Sequence, residues 1–185
     1  QDLAAKRAAD AAAANRATGL PNRPVLFAQM LPVLARCRRE KAPASIIARR
    51  GDGLDEIEAQ RGRAAADDIL RDMGAALRDT VRAADVPGHL GPAVIGALLP
   101  GTPALSADSL AARVSTAIAA RVAPTAMDGG RFSVCSGIAA VGDGEGSAVL
   151  EEAIAAAEAA SAAAQASGGN AWRRAEAPPP RSAAV

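Results

Sequence analysis

The stretch Arg82–Thr102, RAADVPGHLGPAVIGALLPGT, restricts the fold of this chain more than any other. A helix is expected to end in Arg82-Ala83-Ala84-Asp85. A short extended run follows and meets a turn signal at Gly91-Pro92. Ala93–Leu99 is then apolar until Pro100-Gly101 stops it. Two extended runs joined by a Gly-Pro turn read as a β-hairpin.

The rest of the chain alternates helix and strand around that hairpin. Aromatic residues make up only 2% and Tyr is absent, so the core must be built from Ala, Leu, Ile and Val. Gln1–Ala17 is Ala-rich and reads as a connector helix. Thr18–Arg23 breaks it, and Asn22 with Pro24 opens a helix that runs to about Lys41, with Pro32 expected to kink it. Its basic end (Arg36, Arg38, Arg39, Lys41) reads as solvated charge at a helix C-terminus. Ser45–Ala48 reads as a short buried strand closed by Arg49–Gly53. Leu54–Gln60 and Ala64–Ala84 read as helices, the second with Ile69, Met73, Leu77 and Val81 at helical spacing. Ser106–Val122 is a further amphipathic helix. Arg131–Val141 is a strand, Gly142–Gly146 a loop and Leu150–Ser167 an Ala-rich helix. Arg173–Val185 carries three consecutive prolines and reads as a disordered tail. The order implies an α/β domain with a mixed, partly antiparallel sheet. The expected organisation is a connector at 1–17, one domain at 18–172 and the tail at 173–185.

Composition removes several function classes. The formal net charge of +1 gives no basic stripe for nucleic acid. No apolar run reaches the length of a membrane span, and no secretory pattern opens the chain. No membrane contact is expected from this segment, and a cytoplasmic location is. Cys37 and Cys135 lack CxxC spacing and read as reduced, buried thiols. His89 is the single histidine, which excludes a His-rich metal site. It reads as a surface residue of the hairpin.

Four pieces carry a family resemblance. Thr18-Gly19-Leu20-Pro21-Asn22-Arg23 has the TGLPNR form of the diguanylate cyclase, or GGDEF, family. Leu98-Leu99-Pro100-Gly101-Thr102 is similar to the end of that family's signature hairpin. Cys135–Ala139 resembles its late SIGVA strand, and Gly168-Gly169-Asn170 its closing GRN. The resemblance implies a nucleotidyl-cyclase-like palm fold, a central mixed five-stranded sheet flanked by helices. It also implies an ancestral reaction, in which a 3′-hydroxyl of one GTP attacks the α-phosphate of another. Such chemistry needs carboxylates that hold divalent metal against phosphates.

Those carboxylates are missing where the resemblance places them. The GGDEF signature falls on Gly91-Pro92-Ala93-Val94-Ile95, so Pro92 replaces a glycine and both acidic positions are apolar. The metal aspartate of the first strand corresponds to Arg50, with Asp52 two residues on. The guanine-binding Asn corresponds to Glu58, and Asp67 matches a second guanine contact. The family's late phosphate-holding Lys and Arg correspond to Gln165 and Gly169. The implied chain is not an enzyme, and neither a metal nor any other cofactor is expected.

A second family site has its pattern intact. Members inhibited by their product, cyclic di-GMP, carry RxxD five residues before the signature. Arg82-Ala83-Ala84-Asp85 stands at that spacing from Gly91. Arg113, on the next helix, falls where the family has a further arginine. Arginine forks bind phosphate bidentately and stack on guanine, and an aspartate accepts guanine N–H groups. The same pattern also occurs at Arg7–Asp10, and Arg82 with Asp85 also suits a plain helix end and turn. The expectation is a cyclic di-GMP receptor gripping its ligand with Arg82, Asp85 and Arg113. A sensory or receiver domain upstream and a ligand-crosslinked homodimer are the expected partners. The alternative is an interaction or dimerisation module that binds no nucleotide.

Overall fold

The computed structural model describes residues 14–126, 132–168 and 171–177. Its elements are α1 (Arg23–Arg39), β1 (Ala44–Asp52), α2 (Leu54–Arg61), α3 (Arg63–Thr80), β2 (Val86–Gly91), β3 (Val94–Pro100), a 3-10 turn (Ala104–Ser106), α4 (Ala107–Ala126), β4 (Ser133–Ala140), α5 (Ser147–Ala166) and β5 (Trp172–Arg174). Five strands form one mixed sheet in the order β2-β3-β1-β4-β5. β1 pairs antiparallel with β3 on one side and β4 on the other, and β5 joins β4 in parallel. The expected palm-like α/β architecture is therefore present.

Alternation along the strands divides the core into two layers. Ile46 and Ala48 face α1 and α5, where Leu26, Met30, Leu34, Leu150 and Ile154 pack. Ile47, Ala97 and Leu99 face the other way, and Ile95 beside them meets Ile69, Met73 and Leu77 of α3. With so few aromatics the layers are thin and the helices come close. At Gly137 a Cβ would stand 1.7 Å from the Ala157 carbonyl oxygen of α5. Glycine here lets the helix backbone rest directly on β4.

Several element boundaries differ from the sequence expectation. β1 continues through Arg49–Asp52, because both of its neighbours pair with it there: Arg49 lies opposite Ile95 and Ser136, and Arg50 opposite Val94 and Cys135. Arg49 is fully buried. It donates to Ser115 Oγ at 3.1 Å and to the Ala111 carbonyl, and burial lowers its pKa to about 9. α3 stops at Thr80 rather than Ala84; Val81 is already extended. Residues 14–17 are not helical: Ala14 bridges Pro21, and the Asn15 side chain accepts from Ala17 N at 2.9 Å. Trp172–Arg174, expected in or next to a disordered tail, supply the fifth strand. Arg38 is not simply solvated, since it ties down the carbonyls of Gly142 and Gly144. Pro32 lies inside α1 without ending it. Cys37 and Cys135 are buried and share no disulfide, as expected. Residues 1–13, 127–131, Gly169, Asn170 and 178–185 lie outside the described residues, and with them most of the expected connector helix, the start of the strand expected from Arg131 and most of the expected tail.

Gly137→Ala is expected to cost at least about 3 kcal/mol, because the new methyl meets backbone rather than a flexible side chain. Urea unfolding of the two proteins measures it, and a change within experimental error would show that α5 can move off the sheet.

Candidate functional site

The hairpin has a base and a tip, and each borders a concavity. At the base, α3 ends and the chain turns through Arg82–Asp85. The turn is closed by the Asp85 carboxylate, whose Oδ2 accepts from Arg82 N at 2.7 Å, and by Asp85 N donating to Arg82 O at 3.0 Å. Aspartate favours such turns because its side chain can satisfy nearby backbone N–H groups. The side chain of Asp85 is fully buried, whereas that of Arg82 is 56% exposed. Arg82 Nη2 donates to Asp85 Oδ1 at 2.9 Å, to Thr102 Oγ1 at 2.7 Å and to Pro100 O at 3.1 Å. The Asp85 hydrogen bond raises the already high pKa of Arg82, so its charge is permanent. Arg113, exposed on α4, reaches Thr80 O at 3.4 Å.

Arg82 and Arg113 line the same concavity, of about 240 Å³, with Thr102, Ser106, Ser109 and Leu110. Two guanidinium groups stand against one carboxylate, and three hydroxyl-bearing residues complete the wall. Such a set suits an anion carrying several acceptor oxygens. Of the residues singled out from the sequence, Arg82 and Arg113 border this concavity, whereas Asp85 is buried against Arg82 and does not line it; Thr102, Ser106 and Ser109 were not anticipated. The signal available was the i, i+3 spacing of Ser106 and Ser109 just after Thr102.

The tip is different. Pro92 and Ala93 form the turn, and Gly91 pairs with Val94. His89 is buried rather than on the surface. Its Nε2 lies 2.6 Å from Thr18 Oγ1 and its Nδ1 3.3 Å from Gly91 O. The Gly91 carbonyl can only accept, which assigns the proton to Nδ1 and leaves Nε2 to accept from Thr18. Burial lowers the His89 pKa, against a smaller opposite push from the Gly91 carbonyl.

A concavity of about 480 Å³ beneath the tip is bordered by Arg23, Arg50, Leu90, Val94, Glu158 and Ser161, with Pro92 and Ala93 at its rim. Arg50 is directly opposite Val94 in the β1–β3 register. Its Nε stands 3.9 Å from Asp52 Oδ1, too far for a hydrogen bond. Asp52 is buried, and neither of its carboxylate oxygens has a hydrogen-bond partner. Glu58 is exposed on α2, Asp67 half-buried on α3, and Ile95 sealed in the core. Among the described residues no three His, Cys, Asp or Glu side chains cluster as a metal site would require. Among the described residues, Glu158 is the one carboxylate bordering the concavity. These residues do not fit a divalent cation held against phosphates.

Comparison with known proteins now bears on this fold. The sequence profile described as "Diguanylate cyclase, GGDEF domain" matches residues 12–171. The chain belongs to the GGDEF family. No curated protein sequence matches it significantly. Among solved structures, the diguanylate cyclase SiaD of Pseudomonas aeruginosa, in complex with its activator SiaC, is similar with a TM-score of 0.75 at 23% identity. That match covers 94% of this chain but 65% of SiaD, so the chain spans just under two thirds of that relative. The active GGEEF domain of a Vibrio cholerae cyclase gives a TM-score of 0.75 at 21% identity, covering 86% of this chain and 99% of that one. The coiled coil and GGDEF domain of DgcB from Caulobacter crescentus, in complex with cyclic di-GMP, gives 0.75 at 16% identity, covering 94% and 91%. At these identities the structural likeness establishes the GGDEF fold alone. No helix among the described residues of this GGDEF domain is long and apolar enough to cross a membrane.

The lowered pKa of His89 has a pH consequence. Above the ordinary histidine value of 6.5 the ring is neutral both folded and unfolded, and His89 contributes no pH dependence. As pH falls through 6.5 toward the lowered folded value, the unfolded chain takes up the proton first and stability is lost. Between pH 7 and 5 the thermal midpoint of the native domain is expected to fall more steeply than that of His89→Gln. Parallel profiles would contradict the buried, neutral ring.

Proposed function

We propose that this GGDEF domain is catalytically silent and serves as a receptor for cyclic di-GMP, bound at the base of the hairpin. The observation that carries the reading is the convergence of Arg82 and Arg113 on one hydroxyl-lined concavity. Those two residues come from separate elements, and a solvated helix end would not require them to meet. A cyclic dinucleotide presents two phosphodiesters and two guanine edges, each a match for an arginine fork. The concavity, at about 240 Å³, falls below the usual range for a whole small-molecule site. It would hold one end of the ligand and leave the other for a second surface, a second copy of this domain or a neighbouring domain of the same protein. Fold relatives solved with cyclic di-GMP, DgcB and a microbial GGDEF domain with a novel interaction mode, make the ligand class chemically reasonable here.

Silence follows from the tip. Arg50, Ala93 and Val94 stand where the family resemblance expects metal-binding and acidic groups, and a guanidinium there repels the cation the reaction needs. Turnover would require a metal held by Glu158 and the buried Asp52 without a carboxylate from the hairpin.

Calorimetric titration of cyclic di-GMP is expected to give saturable heat with the native domain and at least about tenfold weaker binding with Arg82→Ala. Incubation with GTP and Mg²⁺ or Mn²⁺ is expected to yield no cyclic di-GMP. Product formation would overturn the silent reading. Absence of binding at high micromolar ligand would overturn the receptor reading and favour a nucleotide-free interaction module.

A further inference from the structure

The hairpin-base site contains one geometric surprise. Asp85, expected to touch the ligand, is turned wholly into the protein, and both of its oxygens are committed to Arg82: Oδ2 to the backbone N–H, Oδ1 to the guanidinium. The same guanidinium nitrogen, Nη2, also donates to Thr102 Oγ1 at 2.7 Å. Thr102 is itself oriented, because its hydroxyl donates to Pro100 O at 3.3 Å and therefore presents a lone pair to Arg82. The three acceptors Asp85, Thr102 and Pro100 all engage Nη2. More than half of the Arg82 side chain remains exposed to an incoming group.

We propose that Thr102 is a positioning residue of the hairpin-base site, holding Arg82 in place together with the buried carboxylate of Asp85. The inference rests on the receptor reading for its ligand and on the clamp geometry for its mechanism. An arginine side chain carries substantial rotamer entropy, most of which is lost when it grips a ligand. A side chain already fixed between a buried carboxylate and an oriented hydroxyl loses less on binding, and affinity rises accordingly. Thr102 follows the Pro100-Gly101 stop, where Gly101 adopts a φ of +67° that carries the chain round toward Arg82. That turn is what brings the hydroxyl of the LLPGT stretch to the guanidinium.

The test uses Thr102→Val, which keeps the shape and removes the hydroxyl, and Thr102→Ser, which restores it. Arginine side-chain nitrogen NMR reads the clamp without any ligand. The native domain and Thr102→Ser are expected to show a hindered Arg82 Nη2 group, and Thr102→Val a freely rotating one. With cyclic di-GMP, Thr102→Val is expected to bind about tenfold more weakly, Thr102→Ser like the native domain, and the Thr102→Val effect is expected to vanish in an Arg82→Ala background. Binding by Thr102→Val within twofold of native overturns the proposal. So does an Arg82 Nη2 group that rotates equally freely in the native domain and in Thr102→Val. If the native domain binds no cyclic di-GMP while the NMR contrast is present, the receptor reading fails and the clamp stands.

Discussion

β1 is held on both edges for almost its whole length, by β3 along Ala44–Arg50 and by β4 along Ser45–Asp52. The remainder of the molecule depends on that double pairing. It forces a strand through a segment containing two arginines and an aspartate, and it decides by alternation which of them enters the protein. Arg49 goes into the α3/α4 layer, where it bonds to Ala111 and Ser115 of α4. Arg50 goes to the opposite face, beneath the hairpin tip. The two bonds of Arg49 bracket Arg113 in sequence, so the central strand also fixes the helix that presents the second arginine of the hairpin-base site.

The two concavities show opposite treatments of charge. At the base, a buried carboxylate and a hydroxyl hold one arginine in place while a second stands nearby, and the surplus is positive. At the tip, Arg50 stands 3.9 Å from a buried carboxylate with no hydrogen-bond partner, and the turn residues are apolar. The Asp52 carboxylate is met by that long ion pair without a hydrogen bond, whereas at the base both Asp85 oxygens are hydrogen-bonded. A site arranged to hold a ligand would be expected to look like the base.

Much of this was legible in the sequence. The hairpin, the order of helices and strands and the family all follow from motifs whose spacing survives: TGLPNR, LLPGT and the Cys135–Ala139 strand. The misreadings have a common physical cause, since charge and proline were taken to mean solvent. Arg49–Asp52 were taken to close a strand because sequence alone does not show two paired neighbours. His89 was placed on the surface because its partner, Thr18, is 71 residues away. Trp172–Arg174 were read as domain end and tail because a three-residue edge strand has no periodicity to detect. In the candidate site, Arg82 and Arg113 were singled out by the family resemblance, and the structure sets them on one concavity. The burial of Asp85 and the contact of Thr102 with Arg82 were not anticipated, because the first depends on the turn at Arg82–Asp85 and the second on the turn at Gly101.

The central claim is the location of the ligand, and amide NMR with added cyclic di-GMP tests it most directly. The account predicts saturating shifts at Arg82, Thr102, Ser106, Ser109 and Arg113, with Arg50, Val94 and the hairpin tip unmoved. Shifts confined to the tip around Arg50 and Ala93 would contradict it, placing the ligand in the concavity beneath the tip.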